Sequence, residues 1–145
     1  MTQLNYQIVT TRKELNDAFD VRRIVFIQEQ HVPEKIEMDK YDDHSTHFIV
    51  YHDEKPIATA RIRIYNNENT VKIERVAVLK EFRGKGIGKK LMLFAEQEAK
   101  KMGFTTFLLN SQRHAEIFYK KLGYITISEP FKEAGIEHVT MKKKI

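Results

Sequence analysis

A short glycine-rich stretch in the middle of the chain has the composition of a phosphate-binding turn. Positions 83–88 read Arg-Gly-Lys-Gly-Ile-Gly, with three alternate glycines and two cations. Glycine lets backbone amides approach a ligand and adopts positive φ without a steric penalty. An amphipathic helical pattern follows, and a helix N-terminus presents unpaired N–H groups and a partial positive charge. Several such groups that converge on one anion make a diphosphate site.

The two common diphosphate motifs do not match this turn. No Gly-Lys-Ser/Thr closes it, as a P-loop requires, and the third glycine comes one residue too early for the dinucleotide pattern G-x-G-x-x-G. The turn instead resembles the R-G-x-G-x-G acyl-CoA signature of the GNAT superfamily of N-acyltransferases. The preceding strand pattern fits that signature, and positions 110–123 are similar to the late strand–helix segment of the family. A glycine-rich connection that binds no ligand is the alternative.

The resemblance, which covers nearly the whole chain, implies acetyl-CoA as the cosubstrate and a set of residues that contact it. Asn110 resembles the family asparagine that contacts the cofactor, and an asparagine that caps the following helix is the alternative. Tyr119 lies in a segment similar to F-Y-x-x-x-G-[FY], which implies a general acid beside the thioester sulfur; a packing tyrosine is the alternative. The expected cofactor-binding residues are Val76, Ala77, Val78, Arg83, Gly84, Lys85, Gly86, Ile87, Gly88, Lys89, Asn110 and Tyr119.

Acyl transfer to an amine calls for a general base. An alkylamine titrates near ~10.4, so making it neutral at pH 7 costs about 4–5 kcal/mol. The resemblance implies Glu74, because many GNAT members carry a catalytic glutamate just before the segment that binds pantetheine. A salt bridge from Glu74 to Arg75 or Arg61 is the structural alternative, and His138 is the alternative base. Because the chain has no cysteine, a cysteinyl acyl-enzyme is excluded and direct transfer in a ternary complex is expected.

Two segments resemble the ElaA-type branch of predicted GNAT acyltransferases and point to an acceptor pocket. Positions 22–30 are similar to R-x-x-V-F-[VI]-x-E-Q, and the late EAGIEHVTM stretch fits the same branch. In GNAT folds the first helix and the loop after it shape the acceptor pocket. Glu29 and Gln30 are therefore expected to hold an ammonium or hydroxyl group, and Arg61 and Arg63 a carboxylate. His138, on a strand that would flank the cleft, is also expected to contact the substrate. The alternative is that Glu29 pairs with those arginines.

Alternating strand and helix patterns position these residues. Strands are predicted at 6–10, 46–52, 57–65, 71–79, 105–110, 124–128 and 138–142, and helices at 12–30, 88–101 and 111–122. Thr11 begins the first helix with a capping box, and Ser111 is expected to cap the third. The acidic stretch 34–44 is expected to be a solvated loop, and 66–69 a turn. This order predicts an α/β (α+β) fold, the GNAT acyl-CoA N-acyltransferase fold, with a mixed central sheet and helices on both faces.

The strand at 71–79 changes the parity of its apolar face. Val71 and Ile73 are odd-numbered, whereas Val76 and Val78 are even. A regular strand alternates strictly, so one extra residue, a β-bulge near Glu74 and Arg75, would restore consistency. A strand buried on both faces is the alternative. In the GNAT resemblance this strand splays from its neighbour, and its main chain pairs with pantetheine.

The composition is that of a globular protein. The chain has 145 residues, 41% hydrophobic and 31% charged, which fits one domain over 1–145. No apolar run approaches the ~20 residues of a membrane helix. The N-terminal stretch lacks the basic flank and apolar segment of a signal peptide. The absence of cysteine is compatible with a reducing compartment, so we expect a cytoplasmic protein with no membrane partner.

The remaining functional alternatives concern charge and turnover. A net charge of +5 makes nucleic-acid binding one alternative, but the lysines lack interleaved aromatic residues, and a polyanionic cofactor explains the cations of the turn. We expect no nucleic-acid partner, and no metal, because His44, His47 and His52 fit no common ligand spacing. The favoured function is acetylation of a small-molecule primary amine. An acyl-CoA sensor without turnover and a protein N-acetyltransferase are the alternatives. A homodimer is common in the family, but nothing in the sequence demands one.

Overall fold

A mixed β-sheet forms the centre of the computed structural model, which describes residues 3–65 and 69–145. Within these residues eight strands follow the order β1-β2-β3-β4-β5-β8-β6, with β7 beside β8. All neighbours are antiparallel except β4 and β5. The strands are β1 Leu4–Ile8, β2 Thr46–His52, β3 Lys55–Ile64, β4 Thr70–Val78, β5 Thr106–Gln112, β6 Ile125–Thr126, β7 Phe131–Glu133 and β8 Ile136–Lys144.

The helices differ widely in length and regularity. The α-helices are α1 Arg12–Arg22, α2 Glu34–Glu37, α3 Ile87–Lys101 and α4 Glu116–Lys121. A π-helical segment, Arg23–Glu29, continues α1 without a break, and 3₁₀ segments cover Lys40–His44, Lys80–Phe82 and Arg113–Ala115. The predicted capping box at the start of α1 is confirmed: the Thr11 hydroxyl accepts from the Glu14 N–H at 3.1 Å, and the Glu14 carboxylate accepts from the Thr11 N–H at 3.2 Å. Within the described residues, no helix has the length and apolar composition of a membrane span.

The two long helices cover opposite faces of the sheet, as predicted. On one face, the Tyr51 hydroxyl of β2 donates to Asp17 of α1 at 2.6 Å. On the other face, Phe48 of β2 packs edge-on against Phe94 of α3 with ring centroids 5.7 Å apart. Neighbouring side chains of a strand point to opposite faces, so odd positions of β2 meet α1 and even positions meet α3. The fold is the mixed-sheet arrangement expected for GNAT proteins.

The parallel pair β4 and β5 separates after three residues. Thr70 to Lys72 pair with Thr106 to Leu108, and the ladder stops there. Beyond Lys72, β4 keeps its pairing with β3, whereas β5 pairs with β8 along its whole length. The backbone edge of β4 that faces β5 therefore carries N–H and C=O groups with no strand partner along 73–78. This divergence opens the sheet at its centre.

The predicted bulge in β4 is confirmed by its register with β3. Thr59 pairs with Ala77 and Arg61 with Glu74, so two steps on β3 match three on β4. Arg75 has a φ of +57°, which is uncommon for a residue with a side chain. The bulge places the residues after it in the opposite orientation relative to the sheet.

Three of the sequence-based assignments need correction, and a fourth remains open. Ser111 does not cap a helix, because it is buried inside β5 opposite Val139 and its hydroxyl donates to the Gln112 carbonyl. The connection after Pro130 contains a short strand, β7, between the predicted strands at 124–128 and 138–142. The stretch 34–44 is not a solvated loop, because α2 and a 3₁₀ segment fold it over buried arginines. The predicted turn at 66–69 lies outside the described residues except for Asn69.

Candidate active site

The divergence of β4 and β5 forms a cleft of about 1220 Å³. Single ligand pockets usually measure about 300–1,000 Å³, so this one has room for two reactants. Its walls are the bulged half of β4, the glycine turn, the end of β5, α4, the hairpin of β7 and β8, and the segment from α1 to Tyr41. All but one of the predicted cofactor-binding residues line it: Val76, Ala77, Val78, Arg83, Gly84, Gly86, Ile87, Gly88, Lys89, Asn110 and Tyr119. Lys85 does not; its ammonium group lies 5.7 Å from the centre of the Phe82 ring.

The glycine turn has the backbone conformation that its composition predicts. Gly84 and Gly86 have φ values of +77° and +80°, and a Cβ at either position would meet no atom within 4 Å. These positions therefore need glycine for conformation and not for space. At Gly88 a Cβ would lie 3.4 Å from the Phe118 ring, which is an ordinary van der Waals distance. Since α3 begins at Ile87, the unpaired N–H groups of its first turn face the cleft and suit an anion.

Arg83 ties the glycine turn to both β4 and the first helix. Its guanidinium donates to both carboxylate oxygens of Glu29 at 2.6 and 2.9 Å, and its Nε donates to the Val78 carbonyl at 2.9 Å. The hydrogen bond from Arg83 lowers the pKa of Glu29 below its ordinary value. Glu29 therefore pairs with Arg83, and not with Arg61 or Arg63 as the alternative interpretation held.

Glu74 lies at the bulge, where several cations surround it. Its carboxylate accepts from Arg61 Nη2 at 2.9 Å and from Arg63 Nε at 2.8 Å, and Lys72 Nζ lies 3.7 Å away. Burial acts to raise the pKa of Glu74, but the Arg63 hydrogen bond and the charges of Arg61, Arg63 and Lys72 together lower it. A carboxylate with a lowered pKa is a weaker base.

The expectation that Arg61 holds a substrate carboxylate is corrected by its burial. Arg61 is 1% exposed, and its guanidinium donates to Asp39 at 2.7 and 2.9 Å, to Asp42 at 2.8 Å and to Glu74. Contact with a molecule in the cleft would require these bonds to break. Arg63 does line the cleft, and its guanidinium lies 4.0 Å from the centre of the Tyr41 ring.

His138 has a defined tautomer at the opposite wall of the cleft. Its Nδ1 lies 2.7 Å from the Ile136 carbonyl oxygen, which can only accept, so Nδ1 carries a proton. In neutral imidazole the lone pair is then on Nε2, which lies 3.7 Å from the Glu133 carboxylate. Asn110 also donates to Glu133, at 3.1 Å, and its carbonyl accepts from the Thr140 hydroxyl at 2.9 Å. Asn110 is inside β5, so the helix-cap alternative is wrong.

Tyr119 of α4 lines the cleft with its hydroxyl unengaged by the protein. Within the described part of the chain, no group accepts a hydrogen bond from it at the distances that define one. Its ring packs edge-on against Phe118, with centroids 4.9 Å apart, and against Tyr124. Burial raises the pKa of Tyr119 well above the ordinary value for a phenol. The residue therefore stays protonated at neutral pH and keeps a hydrogen available to a ligand.

Known proteins resemble this chain over nearly its whole length. A family profile described as "Acetyltransferase (GNAT) domain" matches residues 11–145. The uncharacterized N-acetyltransferase YjcF of Bacillus subtilis is 42% identical over 94% of this chain and 96% of its own length. The chain belongs to the GNAT acetyltransferase family.

Two further GNAT-related comparisons agree with this assignment. An acyl-CoA N-acyltransferase from Pseudomonas aeruginosa superposes with a TM-score of 0.87 and 29% identity, covering 97% of this chain and 99% of that one. The protein ElaA of Escherichia coli is 28% identical over 91% of this chain and 88% of its own length. The structure of ElaA superposes with a TM-score of 0.87. The predicted resemblance to ElaA is confirmed.

In this GNAT chain, the Glu-Gln pair at the end of the π-helical segment bridges the two edges of the cleft. Glu29 reaches the glycine turn through Arg83. Gln30 reaches β5, because its side-chain Oε1 accepts a hydrogen bond from Gln112 Nε2 at 2.8 Å. The first helix of this GNAT protein thus covers the cleft at both diverging strands, where the resemblance placed an acceptor pocket.

Several cleft residues of this GNAT protein were not identified from the sequence. They are Tyr41, Lys72, Arg75, Gln112, His114, Phe118 and Glu133. Lys72 was identifiable in principle, because it shares its strand face with Glu74. Glu133 and Gln112 required knowledge of β7 and of the full length of β5. Within residues 3–65 and 69–145, no three His, Cys, Asp or Glu side chains are grouped as metal ligands.

Proposed function

We propose that the protein transfers an acetyl group from acetyl-CoA to a primary amine of a small molecule, directly and within a ternary complex. The observation that carries this proposal is the cleft in which the free backbone edge of β4 leads into the glycine turn at the start of α3. The family shown for the chain consists of acetyltransferases, and the size of the cleft leaves room for donor and acceptor together.

The residues present fit an acyl-CoA cofactor. Its diphosphate would meet the N–H groups of the turn and the ammonium of Lys89. Its pantetheine amides would meet the edge of β4 at 76–78, which has no strand partner among the described residues, in the manner of an added strand. The Val78 carbonyl on this strand already accepts from Arg83. When bound, acetyl-CoA supplies an acyl group activated as a thioester. The protein's own part is to bind, orient and exchange protons.

For the general base we propose His138 in place of Glu74. The hydrogen bond from Nδ1 to the Ile136 carbonyl orients the ring and leaves the Nε2 lone pair on the side of Glu133. A carboxylate beside a histidine stabilises the protonated form that follows proton transfer. Glu74 is engaged by two arginines and carries a lowered pKa, so we assign it to holding those cations.

For the proton donor we propose Tyr119. A departing thiol titrates near ~8.5, below a phenol whose pKa is raised. The thiolate is therefore too weak a base to take the proton from Tyr119 completely. A hydrogen bond from the Tyr119 hydroxyl is enough to stabilise the developing thiolate. The hydroxyl is free to make this bond because no described protein group holds it.

Calorimetric titration with acetyl-CoA tests the cofactor assignment. Wild-type protein is expected to bind acetyl-CoA and not NADH. Gly86→Glu is expected to abolish binding, because it places a carboxylate and a strained backbone in the turn. Gly103→Glu is the matched control: Gly103, at the opposite end of α3, also has positive φ and no atom within 4 Å of a Cβ. Absence of acetyl-CoA binding by folded wild-type protein would overturn the proposal.

Transfer is tested separately from binding. Incubation with acetyl-CoA and a panel of amines, followed by mass spectrometry, is expected to show acetylated small molecules. Tight acetyl-CoA binding with no acetylated amine or peptide would identify a non-catalytic sensor. Acetylation confined to protein N-termini would identify the protein-directed alternative.

A further inference from the structure

Two cations on neighbouring strands face the cleft side by side. Arg63 of β3 and Lys72 of β4 are directly opposite in the strand register. Both side chains are 18% exposed and both line the cleft. Like charges directly opposite each other on a sheet are destabilising. An anion between them would therefore be stabilising. The protein supplies one carboxylate here, which hydrogen-bonds to Arg63 but not to Lys72.

The anion that the protein supplies is the shared carboxylate of Glu74. Its Oε1 already accepts from Arg61 and from Arg63 Nε. Lys72 Nζ, at 3.7 Å, is within ion-pair range of Glu74 but beyond hydrogen-bond range. Within the described residues, neither Lys72 Nζ nor Arg63 Nη1 donates a hydrogen bond. Donors of both cations therefore remain available at the cleft surface.

The charged cluster around this site carries one positive charge in excess. Among the described residues, its five cations are Arg22, Arg61, Arg63, Lys72 and Arg75, and its four carboxylates are Glu37, Asp39, Asp42 and Glu74. The buried end is tightly paired: Arg22 contacts Glu37 at 3.0 Å and Asp42 at 2.6 Å. The longest contact of the cluster is that of Lys72. The excess charge therefore lies at the cleft end.

The cleft has a negatively charged end, at Glu133, and a positively charged end, at Arg63 and Lys72. Four of the carboxylates that line it are held by arginines: Glu29, Glu37, Asp39 and Glu74. Glu133 is 47% exposed and lies beside His138, where we place amine deprotonation. A ligand with an ammonium group and a carboxylate matches a negative place near His138 and a positive place at Arg63 and Lys72.

We propose that Arg63 and Lys72 form a subsite for a carboxylate of the acceptor, so that the acceptors are amino acids or related amines that carry a carboxylate. The inference rests on the proposed acetyl transfer and names the substrate class of the same cleft. Tyr41 stabilises the position of Arg63, because the guanidinium carbon lies over the Tyr41 ring at 4.0 Å from its centroid. Arg63 offers a planar donor group and Lys72 a mobile point charge.

Paired acceptors test the subsite through turnover. The kcat/KM values of L-amino acids and of their C-terminal amides are compared in wild type, Lys72→Gln and Lys101→Gln. Lys101 is a 71% exposed lysine at the end of α3 and serves as the matched control. The acid-to-amide ratio is expected to fall about 10-fold to 100-fold in Lys72→Gln alone, as for the loss of one hydrogen bond to a charged group. Comparing ratios between variants cancels differences in amine basicity.

A binding measurement keeps the test independent of turnover. N-acetyl-L-amino acids and their amides are titrated into CoA-loaded wild type and Lys72→Gln. If the acids bind more strongly than the amides and Lys72→Gln loses this preference, the subsite is supported. This holds even if no amine is acetylated, and then only the proposed function fails. If acids and amides bind equally, or if Lys72→Gln leaves their ratio unchanged, the subsite is overturned. Acetylation of the amides would in that case leave the proposed function intact.

Discussion

Single residues in the cleft differ in how free they are to exchange protons. Glu74 is a carboxylate that arginines hold in its charged form. His138 keeps one nitrogen on a backbone carbonyl and the other toward a half-exposed carboxylate. The Tyr119 hydroxyl has no hydrogen-bond partner among residues 3–65 and 69–145. The side chain with the fewest competing interactions at its reactive atom is the better candidate for proton exchange, which favours His138 and Tyr119.

Replacing His138 is expected to remove the base. His138→Gln should lower kcat/KM by about 10²-fold to 10⁴-fold. Glu74→Gln should lower kcat/KM much less, although it leaves Arg63 and Lys72 without their shared anion and lowers the unfolding midpoint. His44→Gln, at an exposed position in the 34–44 segment, is the control. A larger loss of kcat/KM in Glu74→Gln than in His138→Gln would restore Glu74 as the base.

Two tyrosines in contact, the partly buried Tyr119 and the buried Tyr124, make a matched pair for testing the proton donor. Tyr119→Phe should lower kcat and leave acetyl-CoA affinity and stability nearly unchanged, because no described residue accepts a hydrogen bond from the Tyr119 hydroxyl. Tyr124→Phe should leave kcat unchanged and cost about 1–3 kcal/mol of stability, since the Tyr124 hydroxyl donates to buried Glu96 at 2.7 Å. Kinetics and urea unfolding of both variants check this. Equal kcat for Tyr119→Phe and wild type would remove the assignment.

At the level of elements, the cleft is bordered by two irregular segments. The π-helical segment on one wall and the β-bulge on the other each hold one residue more than the regular form of that element. The bulge orients 76–78 into the cleft, and the π-helical segment carries Glu29 and Gln30 to the two diverging strands. The segment from α1 therefore acts as a cover that is hydrogen-bonded to both edges of the opening.

Releasing one edge of this cover is expected to change cofactor affinity. Glu29→Gln removes a negative charge next to the glycine turn and frees the Arg83 guanidinium to contact a diphosphate. Acetyl-CoA should bind several-fold more tightly at low salt, with the gain shrinking as salt screens the charge. Asp20→Asn, which removes an exposed carboxylate paired with Arg23 on the same helix, is the control. Weaker binding in Glu29→Gln would mean that the pair shapes the turn instead of competing with the ligand.

How much the sequence could predict depended on whether a signal was local. The backbone conformation of the glycine turn, the capping box and the bulge each depend on a few consecutive residues. All three were predicted correctly. The partner of Glu29 is 54 residues away and that of Gln30 is 82 residues away, so no local pattern identifies them. Arg61 looked like a ligand for substrate because alternation placed it beside Arg63. Its burial became visible only once the 34–44 segment was folded over it.

For the molecule as a whole, the charged cluster makes stability depend on pH. Burial acts to raise the pKa values of Asp39, Asp42 and Glu74, but their arginine partners lower them below the ordinary values. A carboxylate with a lowered pKa stabilises the fold above its unfolded pKa of ~4, and this contribution is lost as pH falls through the folded value. Burial raises the pKa of Glu37, so its contribution has the opposite sign.

Acid is therefore expected to unfold the protein cooperatively. The free energy of unfolding should begin to fall below about pH 6.5, because burial lowers the pKa of His47 in the fold and the unfolded histidine binds a proton first. It should fall more steeply below about pH 4, where each carboxylate that gains a proton on unfolding adds a slope of ~1.4 kcal/mol per pH unit. Urea titrations at a series of pH values measure this slope. Asp42→Asn should be less stable at pH 7 and show a shallower slope. A slope identical to that of wild type would mean that Asp42 does not contribute.

The π-helical segment also has a genetic consequence. Its Gln30 N–H donates to the Val25 carbonyl five residues back, at 3.2 Å, so the segment contains one residue that an α-helix would not need. Each helical residue turns the chain by about 100°. An in-frame loss of one codon within 23–29 would therefore restore regular helix with little change in the direction of Glu29 and Gln30. The same loss within α1, which has no extra residue, would turn them by about 100° relative to the start of the helix. The first helix can thus lose a codon in its π-helical segment and not in α1.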